Sequence, residues 1–200
     1  MRAERRANSE RSATTRAALV AVARELFTER GYVDVGTEEI VRRANVTRGA
    51  LYHHFSGKRA LFRAAHEQVE QDMVEAIAGG AEDGEGPVDL LLGAARRFLN
   101  LCMDPAWTRI PLIDAPSVLG WGEWREIDMR YGLGLATAAL TAAMDAGEIR
   151  RAPIRPLAHV LLAAMGEAGL MIATAEDSAA ESAEVEPTLV GLIEGLRISP

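Results

Sequence analysis

The stretch TEEIVRRANVTRGALYHHFSGK, residues 37–58, decides how the chain folds. It begins with Thr37, a residue suited to cap a helix N-terminus, followed by Glu38 and Glu39, whose carboxylates favour the exposed amides of a first turn. Ile40, Val41 and Ala44 then share the inward face of a short helix that ends near Ala44. Asn45 tolerates a left-handed backbone, Val46 plugs the corner, and Thr47 caps a second short helix running from Arg48 to His54. Ser56, Gly57 and Lys58 break the chain before a longer helix. Two short helices across a tight turn form a helix-turn-helix, whose second helix enters the major groove of DNA with its N-terminal residues toward the base edges. The same unit also serves as a plain packing motif, in which Tyr52, His53, His54 and Phe55 would be a half-buried aromatic cluster. Tyr52, His53 and His54 occupy three successive helical positions and cannot all be buried on one face, so at least one projects outward.

Upstream, Ser12, Thr14 and Thr15 are candidate caps for a helix over residues 15–30, with Ala18, Val22, Leu26 and Phe27 on one face and Gly31 as its stop. Downstream, Leu61, Ala65, Val69, Met73 and Ile77 recur every four residues and make one apolar stripe. The glycine- and acid-rich residues 79–86 form the internal loop. Pro87 suits the first turn of a helix reaching Met103, and Pro111 and Pro116 limit a short helix after it. Residues 124–146 and 156–175 read as long helices, and Val185, Leu189, Leu192, Ile193 and Leu196 mark the last. No alternating strand pattern or internal repeat interrupts this series. The expectation is an all-α chain of about nine helices. Residues 1–60 hold an N-terminal arm and a three-helix helix-turn-helix domain, and residues 61–200 form a second, larger helical domain.

Charge divides the chain in the same place. The net formal charge is -7, yet residues 1–66 carry 13 Lys/Arg against 7 Asp/Glu, whereas residues 67–200 carry 9 against 22. A basic end on an acidic chain is the footprint of a polyanion partner. Other classes find little support. The most apolar stretch, residues 157–175, is interrupted by His159, Gly166, Glu167 and Gly169, so no membrane span is expected. The arginine-rich residues 1–11 lack the apolar segment of a secretory signal, which makes the cytoplasm the expected compartment. Cys102 is the single cysteine, so no disulfide or metal cluster is expected, and a lone cysteine in an apolar helix reads as buried, with a redox role left as the alternative. No G-x-S-x-G, P-loop or H-E-x-x-H pattern occurs, and His66 and His159 stand alone; no enzyme, cofactor or metal is expected.

Within the helix-turn-helix, Thr47, the amides after it and Arg48 can meet phosphate or base, and the small Gly49 and Ala50 let the helix sit close. Lys58 and Thr37, each at a helix N-terminus, are suited to hold further phosphates. Residues 14–62 closely resemble the DNA-binding domain of the TetR family, through Ala23-Arg24-Glu25-Leu26-Phe27, Gly31-Tyr32, Ile40, Ala44-Asn45-Val46-Thr47, Gly49-Ala50-Leu51-Tyr52-His53-His54-Phe55 and Lys58-Arg59-Ala60-Leu61. The resemblance implies that Thr37, Thr47, Tyr52, His54 and Lys58 contact phosphates, while Arg48, Gly49, Ala50 and His53 approach bases. Gly36 stands where the family often has Ser or Thr, and Asn45 where Gly is usual. The resemblance further implies a homodimer through the last two helices on a palindromic double-stranded operator, an effector pocket among the middle helices, and repression. A ligand-independent regulator or an activator is the alternative. Apolar surface on the last two helices beyond what one bundle face needs is consistent with such a dimer.

Phe98, Met103, Trp107, Trp121, Trp124, Met129, Tyr131 and Met144 lie near prolines and glycines, as a pocket for an aromatic or lipophilic small molecule would require. The same side chains at helical spacing also make ordinary core. Arg96, Arg97, Arg109, Asp114 and Asp128 are candidate polar anchors beside them. Arg2, Arg5, Arg6 and Arg11 could reach a minor groove or form a basic tail.

Overall fold

The computed structural model describes residues 2–80 and 86–198, with residues 2–9 as backbone only. Ala81, Glu82, Asp83, Gly84 and Glu85 of the expected loop lie outside the described residues, as do the side chains of Arg2, Arg5 and Arg6. The fold is all-α. The helices in chain order are α1 (Arg2–Arg30), α2 (Thr37–Arg43), α3 (Arg48–His54), α4 (Lys58–Ala78), α5 (Pro87–Cys102), α6 (Pro105–Thr108), α7 (Ala115–Leu119), α8 (Trp121–Asp145), α9 (Ile154–Thr174) and α10 (Ser178–Glu194), with a π-helical segment Arg109–Asp114 between α6 and α7.

Several boundaries differ from expectation for identifiable reasons. α1 starts at Arg2 rather than near Thr15, because residues 2–13 contain neither glycine nor proline and many good helix formers. Thr14 and Thr15 are therefore not caps; their hydroxyls donate back to the carbonyls of Glu10 and Arg11 at 2.9 and 3.0 Å. Gly36, not Thr37, occupies the cap position of α2. The short helix expected between the prolines divides into α6, the π segment and α7. Pro111 lies inside the π segment, where the missing amide hydrogen disturbs the α-helical ladder, and Pro116 falls in the first turn of α7, where no intrahelical donor is needed. α8 begins at Trp121, directly after Gly120 turns the chain with φ of 79°.

Two cores are stacked along α4. Leu61, Phe62, Ala65 and Val69 of α4 pack with α1, α2 and α3, while Met73 and Ile77 belong to the core of α5, α8, α9 and α10. The upper core is not confined to the N-terminal helices, since Ile110, Ala115, Leu119 and Ile127 are buried in it. Phe27, Tyr32 and Phe62 form its aromatic centre, with edge-on contacts of 5.2 Å between Phe27 and Phe62 and 5.1 Å between Tyr32 and Phe62. Polar links reinforce this joint. The Tyr32 amide donates to Asp114 at 3.0 Å, and Arg59 donates to the carbonyls of Val118 and Leu119 at 3.1 and 2.9 Å. The helix-turn-helix is thus bolted to the middle of the chain on two sides of α4. α9 is long and apolar enough by length and composition to cross a bilayer; one face of it packs against α5, α8 and α10, and Val160 and Met171 remain exposed.

Candidate DNA-binding surface and ligand cavity

The turn before α3 is held by local bonds. Asn45 adopts φ of 52°, a left-handed conformation that asparagine tolerates better than most residues, and the Val46 amide donates to the Val41 carbonyl at 3.0 Å. Thr47 Oγ1 accepts the Ala50 amide at 3.1 Å, which satisfies one of the free donors at the helix start. Leu51 is fully buried and Phe55 nearly so, and these two residues fix which face of α3 is inward. The outward face then follows: the Arg48 side chain is 66% exposed, Tyr52 is 48% exposed, and Gly49 and His53 are also exposed. Ala50 and His54 are half-buried at the edges.

A side chain at Gly49 would meet nothing nearer than Thr47 Oγ1 at 3.8 Å, so packing within the chain does not require glycine there. Arg48 lies 3.6 Å from Glu38 and within 5.6 Å of the Tyr52 ring centre, a loose arrangement at the surface. Lys58 is folded back: Nζ donates to the Val33 carbonyl at 3.3 Å and sits 4.2 Å from the Tyr32 ring centre, and burial lowers its pKa against the opposing pull of Asp34. Thr37 is half-buried in the first turn of α2. The structure thus gathers Arg48, Gly49, Tyr52 and His53 on one open face, with Lys58 set back from it.

The second feature is a cavity of about 320 Å³ among α4, α5, α8, α9 and the π segment, with walls that are almost wholly apolar. Of the eight aromatic and methionine side chains expected to form a pocket, Phe98 alone lines it, and Tyr131 packs against the upper core. Trp124 is held elsewhere by an Nε1 donation to the Pro111 carbonyl at 2.8 Å, and Trp121 lies tilted against it while remaining 70% exposed. Trp107 lies beneath the Arg24 guanidinium, Met144 is buried in the lower core, Met129 is half-buried, and Met103 is exposed. The cavity is instead left open by small residues. Gly132, Ala136 and Ala139 of α8 face Gly166 and Met165 of α9, and this glycine- and alanine-rich run was the available signal in the sequence.

Two carboxylates interrupt the apolar wall, Glu70 from α4 and Asp128 from α8. Glu70 is 8% exposed and accepts from Nε2 of the fully buried His66 at 3.0 Å, an arrangement that fixes the imidazole proton on Nε2. Burial first, and then the Glu70 charge, push Asp128 up to about 6 in spite of its ion pair with Arg125. Arg97 also borders the cavity, with Nε and Nη1 donating at 2.8 Å to the carbonyls of Ile77 and Gly80. The other expected anchors are engaged away from it, Arg96 with Glu186 and Arg109 with Asp114. Cys102 is buried, and burial together with Glu70 pushes its thiol up to about 12, so it holds little reactive thiolate at neutral pH.

The sequence profile described as "Bacterial regulatory proteins, tetR family" matches residues 19–65, and that described as "Tetracyclin repressor-like, C-terminal domain" matches residues 88–196. The chain belongs to the TetR family. It is 30% identical to the transposon Tn10 TetC protein of Escherichia coli, over 68% of this chain and 69% of TetC. It is also 30% identical to the A-factor receptor protein of Streptomyces griseus, over 62% of this chain but 45% of that protein. A crystal structure of a TetR-family transcriptional regulator from Pectobacterium atrosepticum superposes with a TM-score of 0.83 at 33% identity, covering 96% of this chain and 98% of the other. As a member of this family, the protein is a DNA-binding transcriptional regulator.

Proposed function

We propose that the protein is a homodimeric repressor that holds an inverted-repeat operator through α3 and releases it when a lipophilic small molecule enters the cavity. Residues 1–60 supply the DNA contacts, and residues 61–200 the effector and dimer contacts. The observation that carries the DNA half of the reading is the outer face of α3, where Arg48 is extended toward solvent and Gly49 has no internal reason to be glycine. Arg48, Gly49, Ala50 and His53 read bases, and Thr37, Thr47, Tyr52, His54 and Lys58 hold phosphates, Lys58 after leaving Val33. Dimerisation runs through α9 and α10, on which Val160 (66%), Met171 and Leu192 (60%) are large apolar side chains left open to solvent. The cytoplasm is the matching compartment, and catalysis has no part in the reading.

Coupling between the two ends goes through α4. Glu70, Met73 and Ile77 of this helix border the cavity, while Leu61 and Phe62 near its start lie in the core under α3. A ligand that binds better to a tilted α4 shifts the population toward a dimer whose two α3 helices no longer match successive major grooves; equal affinity for both states would shift nothing. The test is fluorescence anisotropy of a labelled operator fragment. Binding should depend on Arg48 and fall on addition of a cavity ligand; operator affinity that stays constant at saturating ligand would exclude induction by that ligand.

A further inference from the structure

The cavity is small, and its apolar wall is broken by the carboxylates of Glu70 and Asp128 and the guanidinium of Arg97. Its roughly 320 Å³ accommodates on the order of ten to fifteen non-hydrogen atoms at about 20–30 Å³ each. The apolar body of such a ligand would lie against Met73, Phe98, Leu135 and Met165. The polar wall holds two carboxylates and one closely paired cation, Arg125 on Asp128. His66 meets Glu70 through Oε1 and Arg125 meets Asp128 through Oδ2, and among the described residues no donor reaches Glu70 Oε2 or Asp128 Oδ1. Arg97 keeps its positive charge at the cavity border, but its Nε and Nη1 donate to backbone carbonyls and not to either carboxylate.

We propose that the effector is a compact lipophilic cation, an alkyl- or arylalkyl-ammonium whose N–H groups meet Glu70 and Asp128 while its apolar body fills the space between α5, α8 and α9. This rests on the cavity being the effector site. An ammonium offers three donors and one positive charge to a wall whose two neighbouring carboxylates each keep an acceptor oxygen open, a charge-assisted match. A carboxylate ligand of the same shape would add a third negative charge beside two, and a hydroxyl would donate one bond without neutralising either carboxylate. The raised Asp128 value of about 6 has the same origin, burial next to Glu70 without enough compensation. Because the cation prefers the ionised carboxylate, its affinity falls as pH drops through that value; the groups facing Asp128 and Glu70 are Arg125 and His66.

The test is isothermal titration calorimetry of the full chain, without DNA, against phenylbutylamine, phenylbutanol and phenylbutyrate. These probes share a body that fits the cavity and differ at the head. The amine should bind at least tenfold more tightly than the alcohol, and the carboxylate most weakly. D128N and E70Q, each close to isosteric, should bring the amine down to the affinity of the alcohol and leave the alcohol unchanged. D128N carries the result alone should E70Q release His66 and unfold. Equal binding of the three probes, tightest binding of the carboxylate, binding of none, or an amine affinity untouched by D128N would each overturn the proposal. Amine binding that leaves operator affinity unchanged would instead contradict induction and keep the chemistry assigned to the cavity.

Discussion

α3 and the cavity differ in how far along the chain their parts are gathered. The local features that set the start, end and inward face of α3 lie within residues 41–55: the left-handed Asn45, the Thr47 cap, and the inward pair Leu51 and Phe55. The cavity draws on residues from Glu70 to Gly166, and its shape depends on what is missing at Gly132, Ala136, Ala139 and Gly166. The local shape of α3 can therefore be specified by short-range bonding, with its seat supplied by the core of α1 and α4, whereas a cavity is a joint property of several helices and changes with any of them. The two are joined along α4, at the bolt formed by Asp114, Arg59 and the upper core, and where Arg24 of α1 covers Trp107 of α6.

The comparison breaks most severely at that joint. Phe62→Ala removes a fully buried ring from the contact with Phe27 and Tyr32 and should destabilise the chain by about 3–5 kcal/mol, with DNA and ligand binding lost together. Chemical denaturation monitored by circular dichroism gives the number; a loss under about 1 kcal/mol would mean that the two ends are not joined there. Arg48→Ala sharpens the contrast, because it should weaken binding by about 1–3 kcal/mol on the preferred DNA sequence, relax base preference, and leave the melting temperature and amine affinity unchanged.

The extent to which each region could be read in advance follows from the same difference. The α3 boundaries, Arg48 to His54, were legible because the cap, the turn residue and the inward pair are neighbours in sequence. The start of α1 was misread because Ser12, Thr14 and Thr15 look like caps, although nothing before them stops a helix. The cavity was placed among tryptophans, which are conspicuous in sequence. In the fold Trp124 fastens the π segment to α8 and Trp107 lies under Arg24, so large side chains filled space and small ones left it open. The carboxylate Glu70 was passed over because its burial depends on His66 one turn earlier and on helices from the far half of the chain.

Two smaller effects test each region separately. Asp128 titrates near 6 in the fold against an ordinary value of 3.8, so its contribution favours the folded state below about 3.8 and is lost as pH rises through about 6. D128N should consequently gain stability relative to the parent between pH 4 and pH 7, on the order of 1–2 kcal/mol after allowance for the Arg125 pair and partial exposure. Thermal melts at the two pH values read the difference, and a constant gap would contradict the assignment. Thr47→Ala removes the cap of α3 and should lower stability by about 1 kcal/mol, with hydrogen exchange accelerated in residues 48–51 and the cavity unaffected.

The central claim is that two copies of this chain present α3 to successive major grooves on one face of the duplex. Selection of bound fragments from a random DNA library by the purified protein, at moderate ionic strength, tests it most directly. The account predicts enrichment of an inverted repeat with half-site centres one helical turn or a whole number of turns apart, roughly 34–36 Å per turn, and loss of that enrichment in Arg48→Ala. Enrichment of no inverted repeat, or of the same repeat by Arg48→Ala, would contradict it.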